Sequence, residues 1–419
     1  MNRLVPEFLP FRGIRYALRE AEPPADVGAV AAPPYDVIDD DDRAALESAD
    51  PRNSVRLILP RDGENGRDRY QVAADCLEQW RHDGELAVDD PPRFYLYEML
   101  FADENGRFRR THGVVGALGL PSPGTSPADA GVLPHERTMK TATSDRLSLL
   151  RATRANLDPI WVLSLTEGLS KLLVPHGRPL IAYCEDRDGV THRLFPLIEP
   201  DGVAAVSKFV AASPVVLADG HHRFETACAY RDERLAAGID DPGAGRIMAF
   251  AVELADDELS VRPIHRLLHG LAGEDVRDAL AGPFDVVDSG PNTPDGIVSL
   301  RRRMRDEGAL GLVDRSRLAL LRPVAAVVDE PEVLRDIDSI RFDAHLRPAL
   351  AGATVTFRSD DAAVAALVEK GAADAAVLLR PVSVAQIRAA AFARVRMPEK
   401  TTFFSPKPRT GMVFRTLDE

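Results

Sequence analysis

The stretch Val215-Val216-Leu217-Ala218-Asp219-Gly220-His221-His222-Arg223-Phe224-Glu225-Thr226-Ala227 constrains this chain more than any other. Apolar residues suited to a buried strand run into an Asp-Gly turn, and the turn delivers two histidines and an arginine to the start of a helical pattern. That pattern extends to about Ala237 and stops at Gly238. The exposed amides of a helix N-terminus and the dipole behind them favour negative charge, while Arg and His side chains add charge-assisted donors. With Asp219 as the N-cap, its carboxylate would accept from the first amides, and Gly220 would allow a tight turn and close approach of a ligand.

Helical geometry limits what the two histidines can do together. Neighbouring positions on a helix diverge by about 100°, so His221 and His222 are poorly placed to share one metal ion. Further ligands would have to come from distant segments such as His135 or His265, and no metal site is assigned. Glu225 lies four residues after His221 and three after His222, the spacing that lets a carboxylate orient an imidazole and select its tautomer. His222 and Glu225 therefore join the catalytic candidates. Phe224 and Cys228 are expected to face inward and fix the helix.

At 419 residues and 45% hydrophobic content the chain can fill two or three cores. Lys plus Arg number 52 against 65 Asp plus Glu, a net charge of -13, which argues against broad binding to nucleic acid or anionic lipid. The first residues lack the succession of a signal peptide, and no apolar run reaches the roughly 20 residues that span a bilayer. The expectation is a cytoplasmic protein without membrane partners. Cys76, Cys184 and Cys228 are few and widely spaced, which speaks for buried single thiols and not for a disulfide framework.

Along the chain, Phe8 to Arg15 reads as an opening strand, and Asp39 to Asp42 offer caps for a helix through Ala49. Asn53 to Leu59 reads as a strand, and Tyr70 to Trp80 as an amphipathic helix ending at Gly84. Phe94 to Phe101 and Arg109 to Leu120 read as strands of a hairpin turned at Asp103-Glu104-Asn105-Gly106. With strands expected at Ile160 to Leu165, Leu180 to Tyr183 and His192 to Leu197, the segment from about 90 to 205 is β-rich, and a further strand is expected at Ile247 to Leu254. A helix capped by Thr143 or Ser144 is expected to reach Arg154. Beyond 272, helical patterns such as Asp295 to Glu307 alternate with short strands such as Leu318 to Leu321 and Ala375 to Leu379. The resulting expectation is a mixed α/β chain with a phosphate-binding region over 1–272 and an α/β region over 273–419.

Ala218-Asp219-Gly220-His221-His222-Arg223-Phe224-Glu225-Thr226-Ala227 resembles the signature of domain-of-unknown-function family 1015. Pro33-Pro34-Tyr35-Asp36-Val37-Ile38, His135-Glu136 with Thr138, Pro263-Ile264-His265-Arg266, and Met397-Pro398-Glu399-Lys400-Thr401-Thr402-Phe403-Phe404 with Pro406-Lys407 resemble other blocks of that family. The Gly-His-His-Arg turn is also similar to the phosphate-binding turn of the ParB and sulfiredoxin superfamily, which includes kinases acting on free serine. That resemblance implies a ParB/sulfiredoxin-like core around residues 214–237, with Gly220, His221, His222 and Arg223 holding nucleotide phosphates.

Phosphoryl transfer needs positioned cations, a base for the acceptor hydroxyl, and often Mg²⁺. Glu225, Asp36 and Glu136 are the carboxylate candidates, the last two because each sits in an irregular polar segment. His265 and Arg266 follow an apolar strand and present a second group of cations. Lys140, Lys400 and Lys407 have the reach to meet a phosphate as point charges. Each is weighed against the ordinary alternative of a solvated side chain. The leading expectation is a phosphotransferase using ATP or ADP with Mg²⁺ on a small hydroxyl metabolite, free L-serine being the first acceptor that the resemblance implies. The alternatives are a ParB-like nucleotide switch with a macromolecular partner and, more weakly, a metal-dependent hydrolase.

Overall fold

The computed structural model describes residues 5–17, 24–103, 106–136, 143–271, 276–324, 327, 329–350 and 352–418. The chain is mixed α/β and divides into two compact units. One is drawn from Met1–Pro134, Thr138–Ser260 and Pro406–Glu419, the other from His135–Arg137 and Val261–Ser405. The second unit is thus an insertion whose exit returns the last residues to the first unit. A division at 272 places Pro406–Glu419 with the preceding α/β region, but the structure groups these residues with the strand-turn-helix.

The first unit is built on a ten-stranded mixed sheet. From one edge the strands are Ala25–Asp26, Ala182–Glu185, Thr191–Leu197, Phe94–Ala102, Phe108–Gly119, Arg246–Glu253, Ile160–Ser164, Val215–Asp219 and Val132–Pro134, with Phe8–Leu9 also pairing on Phe108–Gly119. The expected hairpin is its centre, with Met99 opposite Thr111 and Tyr95 opposite Val115. Val215–Asp219 runs antiparallel to Ile160–Ser164 and parallel to Val132–Pro134. Successive side chains of a strand point to opposite faces, and both faces here are covered. On one, Ile160, Val162, Val215 and Leu217 pack with Phe224 and Ala227 of the helix His221–Ala236. On the other, the Phe250 ring lies 5.3 Å from both Tyr97 and Trp161. Gly113 makes room for Phe250, because a Cβ there would sit 2.0 Å from the ring.

The second unit carries an antiparallel sheet ordered Phe284–Pro291, Arg317–Pro323, Leu310–Val313, Ala375–Leu378, His265–His269 and Thr354–Arg358. Its strand alternation separates two cores. Leu318 and Leu320 face Ile297, Leu300 and Met304 of the helix Pro294–Glu307, while Ala319 and Leu321 face Phe342, Leu346 and Leu350.

Several elements differ from the sequence expectation for local reasons. The run Asn53 to Leu59 is not a strand: Val55–Ile58 is a single helical turn. The side chain of Asn53 accepts from the Val55 amide and donates to the carbonyls of Ala29 and Ala31, so a buried polar anchor bends the apolar run into a turn. Phe8 to Arg15 is broken into Phe8–Leu9 and Ile14–Tyr16. Asp39 does cap Asp40–Ala49 through the Asp42 amide. Among the described residues no helix is long and apolar enough to cross a membrane.

Both tryptophans, Trp80 and Trp161, belong to the first unit, so their fluorescence reports its unfolding alone. Phe250→Ala, at a fully buried ring, is expected to destabilise that unit by about 3–5 kcal/mol. Guanidinium denaturation followed by tryptophan emission measures this. A loss below about 1 kcal/mol would contradict the packing described.

Candidate functional site

The strand Val215–Asp219 changes register between Leu217 and Asp219. Such an irregularity re-aims the side chain that follows it. Gly220 then takes φ 87°, a left-handed conformation, and His221 opens the helix His221–Ala236. A side chain at 220 would also lack space, because a Cβ would lie 2.9 Å from Ile160 Cγ2 and 3.1 Å from the Arg223 guanidinium. Glycine is required here both by its φ and by close packing.

The cap differs from the sequence expectation. Gly220, not Asp219, is the N-cap residue, and it has no side chain to accept from the first turn. Asp219 is turned away. Its Oδ2 accepts from Arg223 Nη2 at 2.8 Å and its Oδ1 from Lys407 Nζ at 3.0 Å. Arg223 Nη1 also donates to the carbonyl of Pro159 at 2.5 Å, tying the helix head to the neighbouring strand. The arginine that the sequence assigns to a phosphate therefore first serves Asp219 and the backbone.

Lys407 extends the cluster to a third segment. Its Nζ donates to Asp36 Oδ2 at 2.7 Å. Two backbone hydrogen bonds explain how partners so remote in sequence meet: Ala32 N to Thr410 O at 3.0 Å, and Thr410 N to Ala32 O at 2.9 Å. This bridge lays Pro33-Pro34-Tyr35-Asp36 beside Lys407. Arg409 N donates to Tyr97 Oη at 3.0 Å, and the Thr410 hydroxyl donates to Asp158, which pins the same segment to the sheet.

Charge is closely balanced in this cluster. Burial alone would raise the Asp219 carboxyl, but Lys407 and Arg223 outweigh it and hold the group at about 2. Lys407 is raised in turn, burial being outweighed by Asp219 and Asp36. Asp158 goes the other way: burial raises it, and Arg223 and the Thr410 hydroxyl offset this only in part. The Arg146 guanidinium covers one face of the Tyr35 ring, 4.4 Å from its centre.

The sequence model of the family described as "Protein of unknown function (DUF1015)" matches residues 8–340. The chain belongs to this family. No curated protein matches. Solved structures with some likeness include a conserved hypothetical protein from Pyrococcus furiosus, 12% identical, covering 69% of this chain and 93% of that one with a TM-score of 0.37. A free serine kinase in complex with AMP is 12% identical and covers 65% and 83% with a TM-score of 0.35. SbnI with a C-terminal truncation, from Staphylococcus aureus, is 13% identical and covers 67% and 81% with a TM-score of 0.36.

The motif blocks singled out in the sequence fall in two places. Asp36, Asp219, Gly220, His221, His222, Arg223 and Lys407 belong to the first unit, with His221 and His222 half-buried and Glu225 exposed on the same helix. Glu136, His265, Arg266 and Lys400 belong to the second unit. There, Glu136 Oε1 accepts from the Thr402 amide and hydroxyl, both at 2.7 Å, and from the Thr401 amide at 3.2 Å. It fastens the turn that follows Lys400.

His265 and Arg266 are not an exposed cationic pair at a strand end. Both are buried on the strand His265–His269. His265 Nδ1 accepts from the Leu379 amide at 3.1 Å, and burial with nearby Arg301 and Arg266 pushes its pKa down to about 3. Arg266 lies over the Phe357 ring at 4.9 Å and donates to the Ile264 carbonyl, and burial pushes it down to about 10. This pair packs the interior of its sheet. Lys400 is exposed in a left-handed backbone conformation with φ 58°. Lys140 lies outside the described residues.

Arg146, Asp158 and Thr410 belong to the cluster, yet the sequence gives them no prominence. An Asp-Pro pair at 158–159 and a lone arginine within a helix are common patterns, and only tertiary contacts mark them out. Among the described residues no group of three His, Cys, Asp or Glu side chains is arranged to hold a metal ion.

The Asp219 value makes a pH prediction. Its pKa falls from 3.8 to about 2 on folding, so it contributes stability that is complete above about pH 4 and is lost as pH drops through about 2. By linkage that contribution is about 2 kcal/mol. Lys407→Met is expected to lower stability at pH 7 by about 2 kcal/mol and to flatten the acid dependence between about pH 4 and 2. Tryptophan-monitored denaturation across that range checks it, and an unchanged profile would contradict the pairing.

Proposed function

We propose that the head of the helix His221–Ala236 binds the phosphates of ATP or ADP, and that the protein transfers a phosphoryl group from that nucleotide to a small hydroxyl-bearing metabolite. The observation that carries the reading is that the Asp219 carboxylate, next to this helix head, is held by Arg223 and Lys407. The helices Asp40–Ala49, Arg69–His82, Pro294–Glu307, Asp361–Glu369 and Val384–Ala393 each have a side chain accepting from their first amides. The helix His221–Ala236 has a capping-competent aspartate one residue before its N-cap, but that side chain is held away by Lys407 and Arg223. The positive end of a 16-residue helix is thereby left without the neighbouring carboxylate over it, beside two histidines and a lysine, which favours an anion from outside.

The balance of charge suits an exchangeable ligand. Lys407 and Arg223 are neutralised by Asp219 and Asp36 without a ligand, so the cluster is stable on its own. A phosphate arriving at the amides would draw on His221, His222 and Lys407 as further donors. Mg²⁺ fits as a passenger of the nucleotide, because it keeps several waters and takes one or two carboxylates with the substrate phosphates. Asp36, whose side chain is 41% exposed, is the carboxylate suited to that contact. L-Serine is the first acceptor to test, a choice that rests on the similarity of the Gly-His-His-Arg turn to that of kinases acting on free serine.

Equilibrium dialysis with labelled ATP and ADP tests the binding step. The wild type is expected to bind at least one of them, and His222→Ala to weaken binding by about 2 kcal/mol, roughly 30-fold, as for loss of a charge-assisted hydrogen bond. Incubation with labelled nucleotide, Mg²⁺ and L-serine should then yield a phosphorylated product. Absence of nucleotide binding at millimolar concentration would overturn the proposal.

A further inference from the structure

Beside Arg223 the first unit opens a small cleft of about 60 Å³. Leu149, Leu150 and Leu157 form an apolar wall, and Asp158, Arg223 and Thr226 supply polar groups. Small-molecule sites have this composition, mostly apolar with a few convergent polar atoms. Two of those atoms have no partner among the described residues. Thr226 is buried on the helix, 3% exposed, and its hydroxyl makes no hydrogen bond, and Arg223 Nε likewise makes none although both its terminal nitrogens are engaged. Asp158 is buried, 8% exposed, and accepts from Thr410 at Oδ1, while its Oδ2 has no hydrogen bond among the described residues.

These groups stand next to the helix head, because Arg223 belongs to both the turn and the cleft wall. We infer that this cleft holds the phosphoryl acceptor, with Thr226 binding its polar group and Asp158 taking the proton from its hydroxyl. The inference rests on the proposed phosphoryl transfer and names a catalytic residue and acceptor pocket for it. With ATP as donor, the acceptor oxygen forms a bond to the γ-phosphorus and its proton passes to Asp158 Oδ2. The bond from the γ-phosphorus to the bridging oxygen breaks, and the electron pair leaves on the β-phosphate of ADP. With ADP as donor the same exchange occurs at the β-phosphorus and AMP leaves. Burial raises the Asp158 carboxyl above its ordinary value, which makes its anion a stronger proton acceptor. Leucine side chains beside a single carboxylate suit a compact metabolite such as a hydroxy amino acid.

The test uses the full chain with γ-labelled ATP and, separately, β-labelled ADP, Mg²⁺, and first L-serine, then the remaining standard amino acids. Asp158→Asn is expected to lower kcat at least 100-fold with nucleotide affinity within threefold of wild type. It should also abolish the acid limb of the pH profile of kcat/KM. Thr226→Val, which preserves shape, is expected to raise the acceptor KM about tenfold with kcat within threefold, and it keeps the inference testable where Asp158→Asn does not fold. Wild-type transfer retained in Asp158→Asn, or an unchanged acceptor KM in Thr226→Val, overturns this assignment while leaving phosphoryl transfer standing. A wild type that binds nucleotide but phosphorylates none of these acceptors removes the transfer reading and this inference together.

Discussion

The carboxylate of Asp219, held between Arg223 and Lys407, is the interaction on which the candidate site depends. It joins a turn, a strand end and a segment near the C-terminus, and through Lys407 it brings in Asp36, which lies 371 residues from that lysine in sequence. Ion pairs taken out of water recover their desolvation only when geometry is good and the remaining donors are satisfied. Here Lys407 meets two carboxylates and Arg223 meets a carboxylate and a carbonyl, so each cation is paired with a carboxylate, and Arg223 Nε alone of these donors has no partner among the described residues. Removing one member strands the others, which makes the cluster a unit.

That arrangement has a consequence for the backbone. An aspartate at the end of a strand and just before a helix normally offers its oxygens to the first amides. Asp219 instead spends them on cations, and Gly220 in a left-handed conformation leads directly into His221. The helix head keeps its partial positive charge. In the proposed function, the anion site arises from holding this cap away. The glycine is indispensable to this because a Cβ would collide with Ile160 and displace Arg223.

The strand, turn and helix were legible in the sequence because three signals agree there: apolar residues, a residue tolerant of left-handed φ, and helical spacing of Phe224, Ala227 and Cys228. Lys407 and Asp36 were legible as candidates from their motif blocks, but their meeting depends on the Ala32–Thr410 bridge, which no local pattern encodes. The sequence misleads where one residue type serves two ends. Asp219 reads as a cap by proximity, yet tertiary cations claim it. His265 and Arg266 read as a cationic strand end, yet Phe342 and Phe357 enclose the arginine in the core of the second unit. Asn53 to Leu59 reads as a strand by composition, and one buried asparagine coils it. Asp158, Arg146 and Thr410 carry no signature, since burial and neighbours alone distinguish them from surface residues.

The most direct test of the central claim, that the uncapped helix head receives nucleotide phosphate, is an amide-resolved NMR titration of protein labelled with ¹⁵N-histidine and ¹⁵N-arginine, adding ATP, ADP or inorganic phosphate. Amide shifts at His221, His222 and Arg223 that saturate with ATP or ADP, accompanied by smaller or weaker changes with inorganic phosphate, are the expected result. Saturable nucleotide binding that leaves those three amides unmoved would contradict the account.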